Sequence, residues 1–219
     1  MANVMICVPT LDSVSSSFFT SFVGLRYDDG HRYNVSVLSN SLIYNARGDF
    51  ANQAIHNGMD YMIMLDSDMV FGSHIVKALT ARIEETGADL VTGLYFRRRL
   101  PTSPLIYGEV DWYENELFGA QQTATVYEEW PDDDVFPVEG CGLGLSILRV
   151  KTVEELAITF RMNPFTPMPR LSEDLAFSWR LKQLRKTVLC DQTIRALHAG
   201  LHLYGEPEWQ AQVEQRKEE

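Results

Sequence analysis

Tyr61-Met62-Ile63-Met64-Leu65-Asp66-Ser67-Asp68 runs five apolar residues straight into two carboxylates one residue apart. An apolar run this short, bounded by polar loop residues, reads as a buried strand. Working outward, residues 4–8 form a similar run closed by Pro9-Thr10, residues 34–38 another, and residues 90–95 a fourth. Helical spacing fills the gaps. Ile43, Ala46, Phe50 and Ala54 recur on one face ahead of Gly58; Ile75, Leu79 and Ile83 do so between a Ser73 cap and Gly87. A further helix starts from an Asp12 or Ser13 cap and reaches about Gly24. This strand–helix alternation predicts a parallel α/β sheet over residues 4–95.

Open α/β sheets bind ligands at the carboxyl ends of their strands, where Asp66 and Asp68 stand. Two carboxylates at that spacing can meet one divalent cation, and hard oxygen ligands suit magnesium or manganese. Asp and Ser are also ordinary turn residues, so the pair alone leaves both readings open. Charge favours the cation. The chain of 219 residues carries 19 basic and 30 acidic residues, a net −11, so a bound diphosphate needs a screening positive charge. The same charge disfavours broad nucleic-acid binding unless a local basic patch offsets it.

With 45% hydrophobic and 22% charged residues, the chain is neither disordered nor a coiled coil, and it can bury a core without staples. Cys7, Cys141 and Cys190 match no disulfide framework or zinc motif and suit a reducing compartment. No apolar run approaches a membrane span, and Pro9 and Asp12 interrupt what would be a leader's apolar core, so the expected location is cytoplasmic.

Beyond residue 96 the pattern is looser. Residues 97–137 read as irregular, with a short strand or two and mobile loops. Residues 136–149 read as strand around Gly140, Gly142 and Gly144; Ser172 caps a helix to about Arg185; strands follow near Val188 and Ile194. The expectation is one domain over residues 1–205, with a nucleotide-binding half (1–96) and an acceptor-side half (97–205), then a polar tail over 206–219.

Several residues have both a structural and a chemical reading. Glu173 and Asp174 suit the first turn of a helix, but adjacent helical residues point about 100° apart, so one of them can face a site as a general base. His198 and His202 are four apart, though Gly200 argues against a helical metal pair. Gly140-Cys141-Gly142 permits close backbone approach, to a ligand or to another chain segment. Arg97-Arg98-Arg99 is a basic cluster, read first as a solvated loop and second as a phosphate clamp. Arg47 lies on an otherwise apolar helix face and needs a partner, Asp49 or a ligand.

Taken in order, these pieces resemble a glycosyltransferase of the GT-A fold, within or near glycosyltransferase family 2. The resemblance rests on Val8-Pro9-Thr10, Tyr44-Asn45-Ala46-Arg47, Met64 to Asp68, Glu139 to Gly142, Ser172 to Leu175, Asp191 and His198-Ala199-Gly200. It implies a Rossmann-like, mostly parallel central sheet flanked by helices, with a small antiparallel addition in the C-terminal half. It implies a nucleotide pocket lined by Pro9, Thr10, Ser39, Arg47, Asp66 and Ser67. Manganese or magnesium would sit on Asp66, Asp68 and His198, with Gly140, Cys141 and Gly142 flanking sugar and acceptor and Asp174, beside Glu173, as the base.

The activity so implied moves a sugar from a UDP- or GDP-sugar to an acceptor hydroxyl, with inversion. The acceptor is a glycan, a protein, a small molecule or a modified DNA base, and the protein is monomeric or a homo-oligomer. Similar short sequences occur in bacteria and bacteriophages, which is the origin implied. Two other readings compete. A phosphatase of the haloacid dehalogenase type also places Asp-x-Asp after a strand, here Asp66 as nucleophile and Asp68 as acid/base. A nucleotide-sugar-binding module without catalysis would keep the same fold.

Overall fold

A computed structural model of the chain describes residues 1–200 and 203–218. The apolar runs become strands β1 (Asn3–Pro9), β2 (Arg32–Leu38) and β3 (Tyr61–Leu65), followed by the short β4 (Met69–Phe71) and by β5 (Leu90–Leu94). Between them lie helices α1 (Ser16–Val23), α2 (Ile43–His56) and α3 (Ile75–Thr86). The cap residues differ from expectation. Ser15 caps α1 by accepting from the Phe18 amide, and His74, not Ser73, precedes α3 without a side-chain cap. Gly87 closes α3 at φ 68°, a left-handed conformation that glycine adopts without strain.

The second half departs further from its expected pattern. Residues 97–137 contain a long hairpin of β6 (Ile106–Asn115) and β7 (Gly119–Val126), then β8 (Val135–Pro137), rather than irregular chain. The glycine-rich stretch holds β9 (Gly140–Cys141) and β10 (Leu145–Arg149). Helix α4 (Val150–Phe160) was not anticipated: it follows β10 with no intervening turn residue to mark the change of period. After α5 (Glu173–Gln183), one strand, β11 (Val188–Ala199), replaces the two expected, with a register shift between Asp191 and Arg195. The short β12 (Leu203–Tyr204) and helix α6 (Glu206–Glu218) complete the described chain. That last segment is more than a polar tail: Trp209 is only 5% exposed and joins the core.

The main sheet runs β12-β11-β5-β10-β3-β1-β2, with β4 and β8 also paired to β11. Strands β1, β2 and β3 are mutually parallel, as are β5 and β11, and β10 inserts antiparallel between β3 and β5. The expected direct run of parallel strands is therefore broken by a strand from later in the chain. Beside it, β7-β6-β9 forms a small antiparallel sheet, as expected for the C-terminal half.

Alternation along the central strands sends side chains to two cores. Met5, Cys7, Met62 and Met64 face α2, α4 and α5 through Phe50, Ala54, Val153, Leu156 and Phe177. Val4, Ile6, Val8, Ile63 and Leu65 face α1 and α3 through Phe18, Ile75, Leu79 and Ile83. A mixed α/β sheet with helices on both faces and an antiparallel appendage is a GT-A-like fold. Among the described residues no helix is long and apolar enough to cross a membrane.

Candidate functional site

A cleft of about 520 Å³ opens where β1 and β3 end, lined by Pro9, Thr10, Asp66, Ser67, Asp68 and Arg98 together with residues that enter α1 and α2. Its floor is the turn after β3, fastened by three backbone hydrogen bonds. The Asp66 amide donates to the Gly144 carbonyl at 3.0 Å, Met69 donates back to Asp66 at 3.0 Å, and Ala199 donates to Asp68 at 2.7 Å. The carboxylates thus stand on a turn stitched to β11 and to the glycine segment before β10.

Asp66 and Asp68 face different partners. Asp66 Oδ1 accepts from Arg47 Nη2 at 3.2 Å, while Arg47 Nη1 donates to Glu173 Oε1 at 2.9 Å. Arg47 is 1% exposed, so it lies beneath the cleft and does not line it; its partners are Asp66 and Glu173, not the neighbouring Asp49. Burial alone would lower its pKa, but the charges of Asp66, Glu173 and Asp174 outweigh that and raise it. Glu173 is pushed up by burial and by Asp174, against the pull of Arg47.

Asp68 Oδ2 lies 3.2 Å from His198 Nε2 and 2.5 Å from Arg98 Nη1. The other ring nitrogen, Nδ1, sits 2.9 Å from the Phe96 carbonyl, which orients the imidazole so that Nε2 faces the carboxylate. Burial opposes both charges, yet the contact with His198 and the charge of Arg98 hold Asp68 below its ordinary value, and Asp68 raises His198. An imidazole nitrogen beside a carboxylate oxygen, oriented by a carbonyl, is a donor set suited to a divalent cation. Among the described residues no group of three such ligands is assembled, so a cation here would take its remaining oxygens from ligand and water. Asp66, expected as a third ligand, is turned to Arg47 instead. His202 lies outside the described residues.

Asp174 is half-buried at the start of α5. Its Oδ1 accepts from Ser172 Oγ and from the Leu175 amide. Ser172 occupies the cap position but makes no side-chain bond to the helix amides. Burial raises Tyr95, with Asp66 and then Asp174 adding to it; burial also raises Tyr107, against the opposing pull of Arg97 and with a smaller push from Asp174.

The remaining expected residues sit apart from the cleft. Ser39 is exposed at the end of β2; Ser41 and Leu42 line the cleft in its place. Gly140, Cys141 and Gly142 are buried, and packing accounts for the glycines: a Cβ on Gly140 would lie 2.6 Å from Val110, and one on Gly142 2.2 Å from the Tyr95 hydroxyl. Burial pushes the Cys141 thiol up to about 12, which leaves it inert. Gly144, Tyr95 and Arg98 belong to the site without having been singled out individually. A Cβ on Gly144 would lie 2.7 Å from Asp66 Oδ2, and the Gly144 amide donates to the Tyr95 hydroxyl at 2.9 Å. The glycine-rich sequence signalled close approach, but not that Asp66 was the neighbour.

No protein-family model matches the chain, and no curated protein matches it. Solved structures do. The chain is similar to A197 from STIV, with a TM-score of 0.60 at 19% identity over 91% of this chain and 86% of that one. It is also similar to GalNAc-T7, solved with UDP, GalNAc and Mn2+, with a TM-score of 0.55 at 12% identity over 87% of this chain. It spans 42% of the length of GalNAc-T7. At these identities the likeness establishes the GT-A-like fold.

Proposed function

We propose that the protein is a metal-dependent glycosyltransferase related to family 2, moving a sugar from a nucleoside-diphosphate sugar to an acceptor hydroxyl. The reading rests on one juxtaposition: Asp68 and His198, 130 positions apart, meet at the cleft at the carboxyl ends of β1 and β3. The fold shared with GalNAc-T7, whose structure holds UDP and Mn2+, supports it.

In this reading Pro9, Thr10 and Ser67 receive the nucleotide, and Asp68 and His198 hold manganese or magnesium. The cation, when bound, neutralises charge on the leaving diphosphate. Arg98, now on Asp68, is placed to move onto the diphosphate. Arg47 fixes Asp66 and Glu173, so the two adjacent acids of α5 divide their work, Glu173 to the arginine and Asp174 to the acceptor. With Oδ1 occupied by Ser172 and Leu175, Oδ2 of Asp174 takes the acceptor's proton as the oxygen attacks the anomeric carbon, giving inversion. The phosphatase alternative is not favoured, because its nucleophile, Asp66, is engaged by Arg47.

The test is thermal stability against a panel of nucleoside diphosphates, with and without manganese. A rise in Tm with UDP or GDP that requires manganese is expected. No rise with any nucleotide would overturn the reading.

A further inference from the structure

The three arginines after β5 divide between two cavities. Arg98 lines the cleft, whereas Arg97 and Arg99 line a second cavity of about 480 Å³. The loop between them is braced at its neck: the Arg97 amide donates to the Ser103 carbonyl at 3.0 Å, and Thr102 Oγ1 donates to the Arg97 carbonyl at 2.7 Å. From outside, Gln212 of α6 accepts from the Thr102 amide at 2.8 Å, and Trp209 of the same helix forms part of the cavity wall. Such bracing fixes the backbone at the neck of the loop before any ligand arrives.

We propose that this second cavity is the acceptor subsite and that it takes a small phosphate monoester, gripped by Arg97 and Arg99. The assignment of an acceptor rests on the transferase reading above; the anion site itself does not. In a chain of net charge −11, this cavity sets two arginines against one acid, Glu128. Neither arginine has a carboxylate partner among the described residues, unlike Arg98 and Arg47. Arg97 Nη2 donates to the Tyr107 hydroxyl at 3.1 Å, a bond that orients the guanidinium without neutralising it.

Tyr107 in turn packs in a small core with Leu175, the residue after Asp174, so the Arg97–Tyr107 bond ties the cavity wall to the first turn of α5. Two guanidinium groups match the two charges of a phosphate monoester, and planar forks suit its oxygens. The volume suits a small molecule rather than a polymer. A long polyanion would also be repelled by the acidic chain.

The experiment is calorimetric titration of the full chain with phenylphosphonate, a non-hydrolysable monoester analogue, alone and in the presence of UDP and manganese. Wild type is expected to bind it in both conditions. Arg99→Gln, at an exposed side chain whose loss leaves the Tm unchanged, weakens it at least about tenfold, the loss of one charge-assisted contact. Arg97→Gln does the same, while Arg98→Gln spares it and affects UDP instead. Unchanged affinity in both Arg97→Gln and Arg99→Gln, competition by UDP, or equal binding of dimethyl phosphate would each overturn the proposal. If phenylphosphonate binds as described but no nucleotide does, the transferase reading falls and the anion site stands.

Discussion

Arg47 Nη1 lies 2.9 Å from Glu173 Oε1, a contact made across 126 positions that joins α2 to the first turn of α5. Through its other terminal nitrogen the same guanidinium holds Asp66 at the end of β3. One buried cation therefore sets the relative positions of the strand end, the helix start and, by adjacency, Asp174. Its Nε has no hydrogen-bond partner among the described residues, so the two ion contacts carry the compensation for burying it.

Replacing Arg47 by Met keeps much of the volume and leaves two carboxylates without their counter-charge. A loss of about 3 kcal/mol is expected, at the low end for a broken buried pair because both acids retain some contact with water. Urea denaturation with unchanged m would measure it. Adding Glu173→Gln to Arg47→Met should recover part of the loss; no recovery would mean that the cost comes from packing alone.

Glu173 makes stability depend on pH in a defined direction. Its carboxyl is raised in the fold above the ordinary 4.5, so between 4.5 and the raised value the folded state keeps a proton that the unfolded state has released. Stability contributed by this group is therefore full below pH 4.5 and declines as pH rises through the folded value. Urea midpoints for wild type and Glu173→Gln, measured from pH 4 to 7, should show this decline in wild type and lack it in the variant. Parallel curves would remove Glu173 as its source.

At the cleft, Asp68→Asn and His198→Ala should each abolish the manganese-dependent part of nucleotide stabilisation. For wild type this amounts to about 2.7 kcal/mol with ligand at about 100 times its Kd. Asp174→Asn should keep that stabilisation and lower transfer by about 10²–10⁴-fold. Equal loss of nucleotide binding in all three variants would remove the division between binding and proton transfer.

Gly144→Ala places a methyl group 2.7 Å from Asp66 Oδ2 and 3.2 Å from the Tyr95 hydroxyl. Overpacking of this kind costs about 1–3 kcal/mol. Because Asp66, whose carboxylate is displaced, lines the cleft and anchors the turn that carries Ser67 and Asp68, nucleotide affinity should fall along with stability. A variant destabilised but unchanged in affinity would place Asp66 outside the binding function.

Much of the first half was legible because its cues are local. The apolar runs at β1, β3 and β5, the helical spacing of α2 and α3, and Gly87 as a stop each need only a dozen neighbouring residues to be read. The second half hid its elements for equally physical reasons. In β6, charged and aromatic residues share a half-exposed hairpin, so no clean alternation marks it, and α4 follows β10 without a turn residue between them.

For the site, the sequence by itself determined that two carboxylates leave the third long strand and that an arginine stands on an apolar helix face. Only the tertiary structure decided their partners. Arg47 meets Asp66 and Glu173, Asp68 meets His198 and Arg98, and β10 separates β3 from β5. Each of these is a long-range pairing, chosen by which buried charges must be matched and which apolar strand faces must be covered. No local pattern encodes such a choice, because the free energy that decides it arises only when distant segments exclude water together.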